Sequence, residues 1–99
     1  MTLAEFKSSL HLPQPDKSWN SLLRALWYDA KDMWDAAHDI AQDVHTTDGS
    51  WLHAYLHRKE GDNGNASYWY HRAGKKMPVC SLNEEWEQLF DWFTQKNQA

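Results

Sequence analysis

The sequence predicts an all-α domain, and three observations carry that prediction. Apolar residues recur at helical spacing, capping boxes stand ahead of the first and last apolar stripes, and turns bearing glycine or proline separate the stripes. No stretch alternates apolar and polar residues for long enough to suggest a strand.

Taken in order, Thr2 with Glu5 forms a capping box that opens a short helix to about Leu10, which Pro13 and Pro15 bring to a close. The clearest stripe follows: Trp19, Leu22, Leu23, Leu26, Trp27 and Ala30 lie on one wide apolar face. Asp32 is placed to cap the next helix, in which Met33, Ala37, Ile40, Ala41 and Val44 face inward and Asp35, Asp39 and Asp43 face out. The run Thr46-Thr47-Asp48-Gly49-Ser50 has turn chemistry and caps a helix expected over about Trp51 to Glu60. Gly61 suits the left-handed residue that closes it, and Asp62 or Asn63 caps a helix with Ala66, Trp69, Tyr70 and Ala73 inside. Gly74 and Pro78 stop that helix. Ser81 with Glu84 opens the last one, whose inner residues are Leu82, Trp86, Leu89, Phe90 and Phe93, with fraying expected from Gln95. The expectation is about five helices in one domain. Residues 1–15 form an N-terminal helix and linker, 16–76 two helical hairpins, and 81–95 a C-terminal capping helix.

Ninety-nine residues fit one domain, and a chain of that size buries roughly two-thirds of the surface it exposes when unfolded. Seven tryptophans, four tyrosines and three phenylalanines supply its burial, each removing about 150–250 Å² from water. The formal charge of −4 argues against a nucleic-acid partner, which requires a clustered positive surface. The lone Cys80 suits a reducing compartment, no apolar run is long enough to span a bilayer, and Met1 to Leu12 lacks the form of a secretory signal. A cytoplasmic protein without membrane contact is expected.

Shifting the chain by 30 residues pairs Leu26 with Leu56, Asp32 with Asp62, Ala36 with Ala66 and Ile40 with Tyr70. Both copies read as helix, short turn with aspartate, and helix with an early alanine. The second copy resembles the tetratricopeptide motif, its roles falling on Ala54, His57, Gly61-Asp62, Ala66, Tyr70 and Ala73. The resemblance covers residues 18–76 and is strongest over 51–74. In the first copy it departs at Arg24, Lys31 and Asp43, which take the small-residue, glycine and closing-alanine places. The string from Trp51 to Asp62, with Asn65-Ala66 and Tyr68-Trp69-Tyr70, also resembles small uncharacterised bacterial proteins and implies no activity. The tetratricopeptide resemblance implies stacked antiparallel hairpins and a concave groove for an extended peptide. Its groove places fall on Ser21, Ala25, Tyr28 and Asp29, then on Trp51, Tyr55, Arg58 and Lys59. Two aromatics beside two cations would suit an acidic or C-terminal carboxylate partner.

Chemistry-bearing residues are sparse. His53 and His57 lie one helical turn apart on one face, a spacing that can chelate zinc, nickel or copper given a third ligand such as Glu60, His38 or Asp39. The zincin pattern requires glutamate directly after the first histidine, and Ala54 stands there. In the 30-residue register both histidines fall opposite Leu23 and Trp27, which makes them expected core residues, hydrogen-bonded to Tyr70, Asp43 or backbone carbonyls. The aspartate series lacks the glycine and terminal glutamate of a calcium loop, and Cys80 has no activating neighbour in sequence. These features point first to a non-enzymatic helical module that binds a protein or peptide, or its own copy as a homo-oligomer, with no cofactor. The alternative is a small metal-dependent or acid–base enzyme centred on His53 and His57, with Glu60 beside them.

Overall fold

The computed structural model describes residues 1–98, with side chains described to Lys96. Among these residues it contains six α-helices and a 3₁₀ turn, and no strand. Thr2 Oγ1 accepts from Glu5 N at 3.1 Å while Glu5 Oε1 accepts from Thr2 N at 3.0 Å, so the expected capping box starts α1 (Leu3–Ser8). A 3₁₀ turn, Ser9–His11, extends it. The α-helices alone number six where about five were expected.

Asn20 caps α2 (Ser21–Ala30) by accepting from Leu23 N at 2.9 Å. Helix α3 spans Trp34–Asp43, and its N-cap is Met33, which offers no side-chain cap. The assignment of Asp32 as a cap is therefore corrected: at φ 59° it is the left-handed residue that closes α2, with Met33 N donating to Tyr28 O at 2.9 Å. Gly61 (φ 86°) and Gly74 (φ 71°) close α4 and α5 through the same bond pattern. Aspartate tolerates this conformation better than most side chains. Met33, expected inside, is 46% exposed for the same reason, since it lies outside the helix.

Helix α4 (Thr47–Lys59) begins four residues before the expected start at Trp51. Thr46 Oγ1 accepts from Gly49 N at 3.0 Å, so the supposed turn is a capped first turn. Gly49 sits there because a Cβ would lie 2.0 Å from Val44 O. Asp62 caps α5 (Asn63–Arg72). Ser81 Oγ accepts from Glu84 N at 3.1 Å ahead of α6 (Leu82–Gln98), which continues past Gln95 where fraying was expected.

The most extensive packing joins α2 to α3 and α4 to α5, with α3 also against α4, and α6 lies against α2 and α4. Ala25, Ala37, Ala54 and Ala66 are all fully buried, which allows close backbone approach within each pair. The chain repeats at 29 residues: Asp32 to Gly61, Trp34 to Asn63, Ala25 to Ala54, and Ala37 to Ala66. The 30-residue register is corrected by one. In the correct register Ala25 takes the small-residue place that had fallen on Arg24. Phe6 pins the N-terminal helix to α6, its ring 5.0 Å from Phe90 and 5.1 Å from Trp19. Among the described residues no helix is long and apolar enough to cross a membrane.

Candidate functional site

Helix α4 carries polar side chains on two faces, and the two are met differently. On the face toward α2 and α6, the groove places expected from the sequence are occupied by the chain itself. Asp29, 1% exposed, accepts from Tyr55 Oη at 3.1 Å and from Lys59 Nζ at 2.9 Å. Glu85, also 1% exposed, accepts from Trp51 Nε1 at 3.1 Å, Arg58 Nη1 at 2.8 Å and Tyr70 Oη at 2.6 Å. Arg58 also donates to the carbonyl of Cys80. Burial, followed by Asp29 beside one phenol and the hydrogen bond to Glu85 on the other, pushes both Tyr55 and Tyr70 well above the ordinary phenol range. They remain neutral donors. Tyr28 is half-buried with its ring edge-on to Trp27 at 5.3 Å, while Ser21 is half-buried and Ala25 fully buried. Arg58 and Lys59 each already meet a buried carboxylate of the chain, so an external one would share them with Glu85 or Asp29.

Sequence reasoning did not identify Glu85. Its signal is a carboxylate between Leu82 and Leu89 on the apolar face of α6, where a charge requires a buried partner.

On the opposite face of α4 stand His53 and His57, joined by His38 from α3. One ring nitrogen from each lies within 4.8 Å of the others, with ring centroids 4.6 Å (His38–His53), 5.2 Å (His38–His57) and 4.9 Å (His53–His57) apart. His53 is 5% exposed, and the His57 side chain 12%. Two tryptophans bracket the trio. Trp34 stacks on His38 at 4.8 Å and is fixed across the α3–α4 junction by donating to Leu56 O at 2.8 Å. Trp69, from α5, stacks on His53 at 4.0 Å.

Among the described residues none of the three imidazoles makes a hydrogen bond, and His57 Nδ1 is a buried nitrogen without a partner. The expected partners are engaged elsewhere or absent: Tyr70 is bonded to Glu85, and Asp43 is exposed. The nearest carboxylate, Glu60 Oε1, lies 3.7 Å from His57 Nδ1. Glu60 and Asp62 form a second group with His57, while Asp39 is exposed and outside both groups. The one-residue change of register also places His53 and His57 opposite Arg24 and Tyr28. Both of these are half-buried, so the repeat no longer assigns the histidines to the core.

Desolvation, followed by repulsion from His38 and His57, lowers the His53 pKa to about 4. Burial, then the charge of His57, lowers His38 as well. These two rings are neutral at pH 7 and present free lone pairs. Imidazoles converging from two packed helices can coordinate a soft or borderline cation, or accept a proton from a bound molecule. The chain matches no known family model, no curated protein and no solved structure.

Proposed function

We propose that this is a metal-binding helical protein, with His38, His53 and His57 holding a divalent ion of the zinc, nickel or copper class. The observation that carries it is the convergence of three imidazoles, within 4.8 Å of one another, without a hydrogen bond among the described residues. Buried polar groups in folded proteins are nearly always partnered, so the unmet His57 Nδ1 in the middle of this cluster calls for a partner. Imidazole donors suit these ions. Tetrahedral bonds of about 2.0–2.1 Å place nitrogens about 3.4 Å apart, and side-chain torsions can close the remaining gap. Three protein ligands leave a coordination position open, the arrangement of catalytic rather than structural sites.

For the scaffold, the two helical pairs read as a short tetratricopeptide-like stack. Its support is the matched alanines, Ala25 with Ala54 and Ala37 with Ala66, and the left-handed closures at Asp32 and Gly61. Capture of an acidic partner has weaker support, because Arg58 and Lys59 are both paired within the chain.

The test is metal stoichiometry. The full chain, stripped with chelator and titrated calorimetrically with zinc, should bind one equivalent. It should also copurify with a comparable amount of a transition metal by elemental analysis. His38→Leu and His53→Leu should each abolish binding while retaining the helical circular dichroism, and Glu60→Gln should retain it. Absence of saturable binding overturns the proposal. Binding that survives His38→Leu also overturns it, moving the ion to His57, Glu60 and Asp62.

A further inference from the structure

Beside the histidine trio lies a cavity of about 630 Å³, within the size range of small-molecule sites. It is bounded by the end of α3, the first turns of α4, and Trp69 and Arg72 of α5. In a chain with 14 acidic side chains and a formal charge of −4, no carboxylate lines this cavity. Its polar walls include the Thr46, Thr47 and Ser50 hydroxyls, His53 and Arg72.

Arg72 forms no ion pair among the described residues. It is exposed, with Nη1 donating to Tyr68 Oη at 3.2 Å and the guanidinium 5.4 Å from the Trp69 ring centroid. The start of α4 adds the positive end of a 13-residue helix. His53 supplies an independent observation, being 5% exposed, without a hydrogen bond among the described residues, and part of the cavity wall. A guanidinium without an ion pair, an imidazole without a hydrogen bond among the described residues, and hydroxyls, with no carboxylate in the lining, match a negatively charged oxygen ligand.

We propose that this cavity binds a small molecule through an oxyanion, a carboxylate or phosphate group, held by Arg72 with the His53 ring alongside. The site shares His53 with the metal centre but does not require the ion. Its ligand would lie against the wall of that centre, which is where a substrate of a three-histidine site belongs.

The experiment uses the full chain stripped with chelator, at constant ionic strength, titrated separately with inorganic phosphate and with acetate. The readout is the Trp69 indole N–H resonance. A saturable shift with at least one anion is expected, and the stronger of the two identifies the headgroup. Arg72→Gln should weaken it roughly tenfold or more, the loss of one charge-assisted hydrogen bond. Lys75→Gln, whose ammonium lies over Trp51 elsewhere, should behave as the unaltered chain. A shift that does not saturate with either anion, or one unchanged by Arg72→Gln, overturns the proposal. Repeating the titration after zinc addition keeps the two ideas separate, since failure of zinc to bind leaves the metal-free result standing.

Discussion

The two polar faces of α4 teach different lessons although both are buried and both carry ionisable groups. Toward α2 and α6, Trp51, Tyr55, Arg58 and Lys59 donate to Asp29 and Glu85, and Tyr70 adds a further donor to Glu85. Toward α3 and α5, His53, His57 and His38 meet one another and two indole rings, without hydrogen bonds among the described residues. On the first face both buried carboxylates are met by donors of the chain itself, although Trp86 Nε1 on α6 is buried without a partner among the described residues. The second has donor capacity left over, which marks it as the place where an external ligand gains most. Charge and burial alone do not separate structure from function here. Satisfaction does.

The comparison breaks most visibly at Glu85. Glu85→Ala removes the acceptor shared by Trp51, Arg58 and Tyr70, leaving a buried indole and phenol unmet and a part-buried guanidinium with only the Cys80 carbonyl. Removing one partner of such a pair costs about 3–5 kcal/mol. Urea unfolding should show that loss, with zinc stoichiometry unchanged in whatever fraction remains folded. A loss below about 1 kcal/mol would mean that α6 is not held by this network.

A smaller effect is expected at Asp29. Tyr55→Phe deletes one hydrogen bond to a carboxylate that keeps Lys59, so no charge is stranded. Bonds to charged groups contribute about 1.5–3 kcal/mol, and the midpoint of denaturation should fall accordingly with the slope unchanged. An unchanged midpoint would show that water replaces the phenol and that this face is less closed than the distances indicate.

The difference between the faces also explains what could be read from the sequence. Helix order was legible because its signals are local: Thr2 with Glu5, Ser81 with Glu84, and Gly61 and Gly74 act within a few residues. The start of α4 was not, because Thr46 to Ser50 has a composition that serves both turns and capped first turns. The close approach of Gly49 to Val44, which decides between them, is tertiary. The repeat register slipped by one because Asp32 resembles Asp62 in type, while in conformation it corresponds to Gly61. That slip set the histidines opposite Leu23 and Trp27 and favoured a core role for them over the metal alternative. At the candidate site, His53 with His57 was legible from spacing, and His38 was one of three third-ligand options. The convergence depends on how α3 lies against α4, and on Trp34 bonding to Leu56 O, which no local pattern encodes. Glu85 required knowing that α6 covers Arg58.

The smallest stability effect is expected at the histidines themselves, and its smallness is what distinguishes the faces. In the double variant His53→Leu with His57→Phe, no partner is orphaned, because among the described residues none is bonded to either ring. The replacements are apolar and fit surroundings made of Trp34, Trp69 and His38. Loss of the His53 stack on Trp69 forfeits about 0.5–1.5 kcal/mol, offset by burying hydrocarbon where nitrogen had been desolvated. The net change, measured by urea unfolding in chelator at pH 7, should lie within about 1 kcal/mol of zero, in either direction. The same variant should bind no zinc. A loss of about 3 kcal/mol would instead place the histidines among the structural groups, equivalent to Glu85 on the other face. Unchanged stability together with abolished metal binding is the result expected if this face of α4 is built for a ligand.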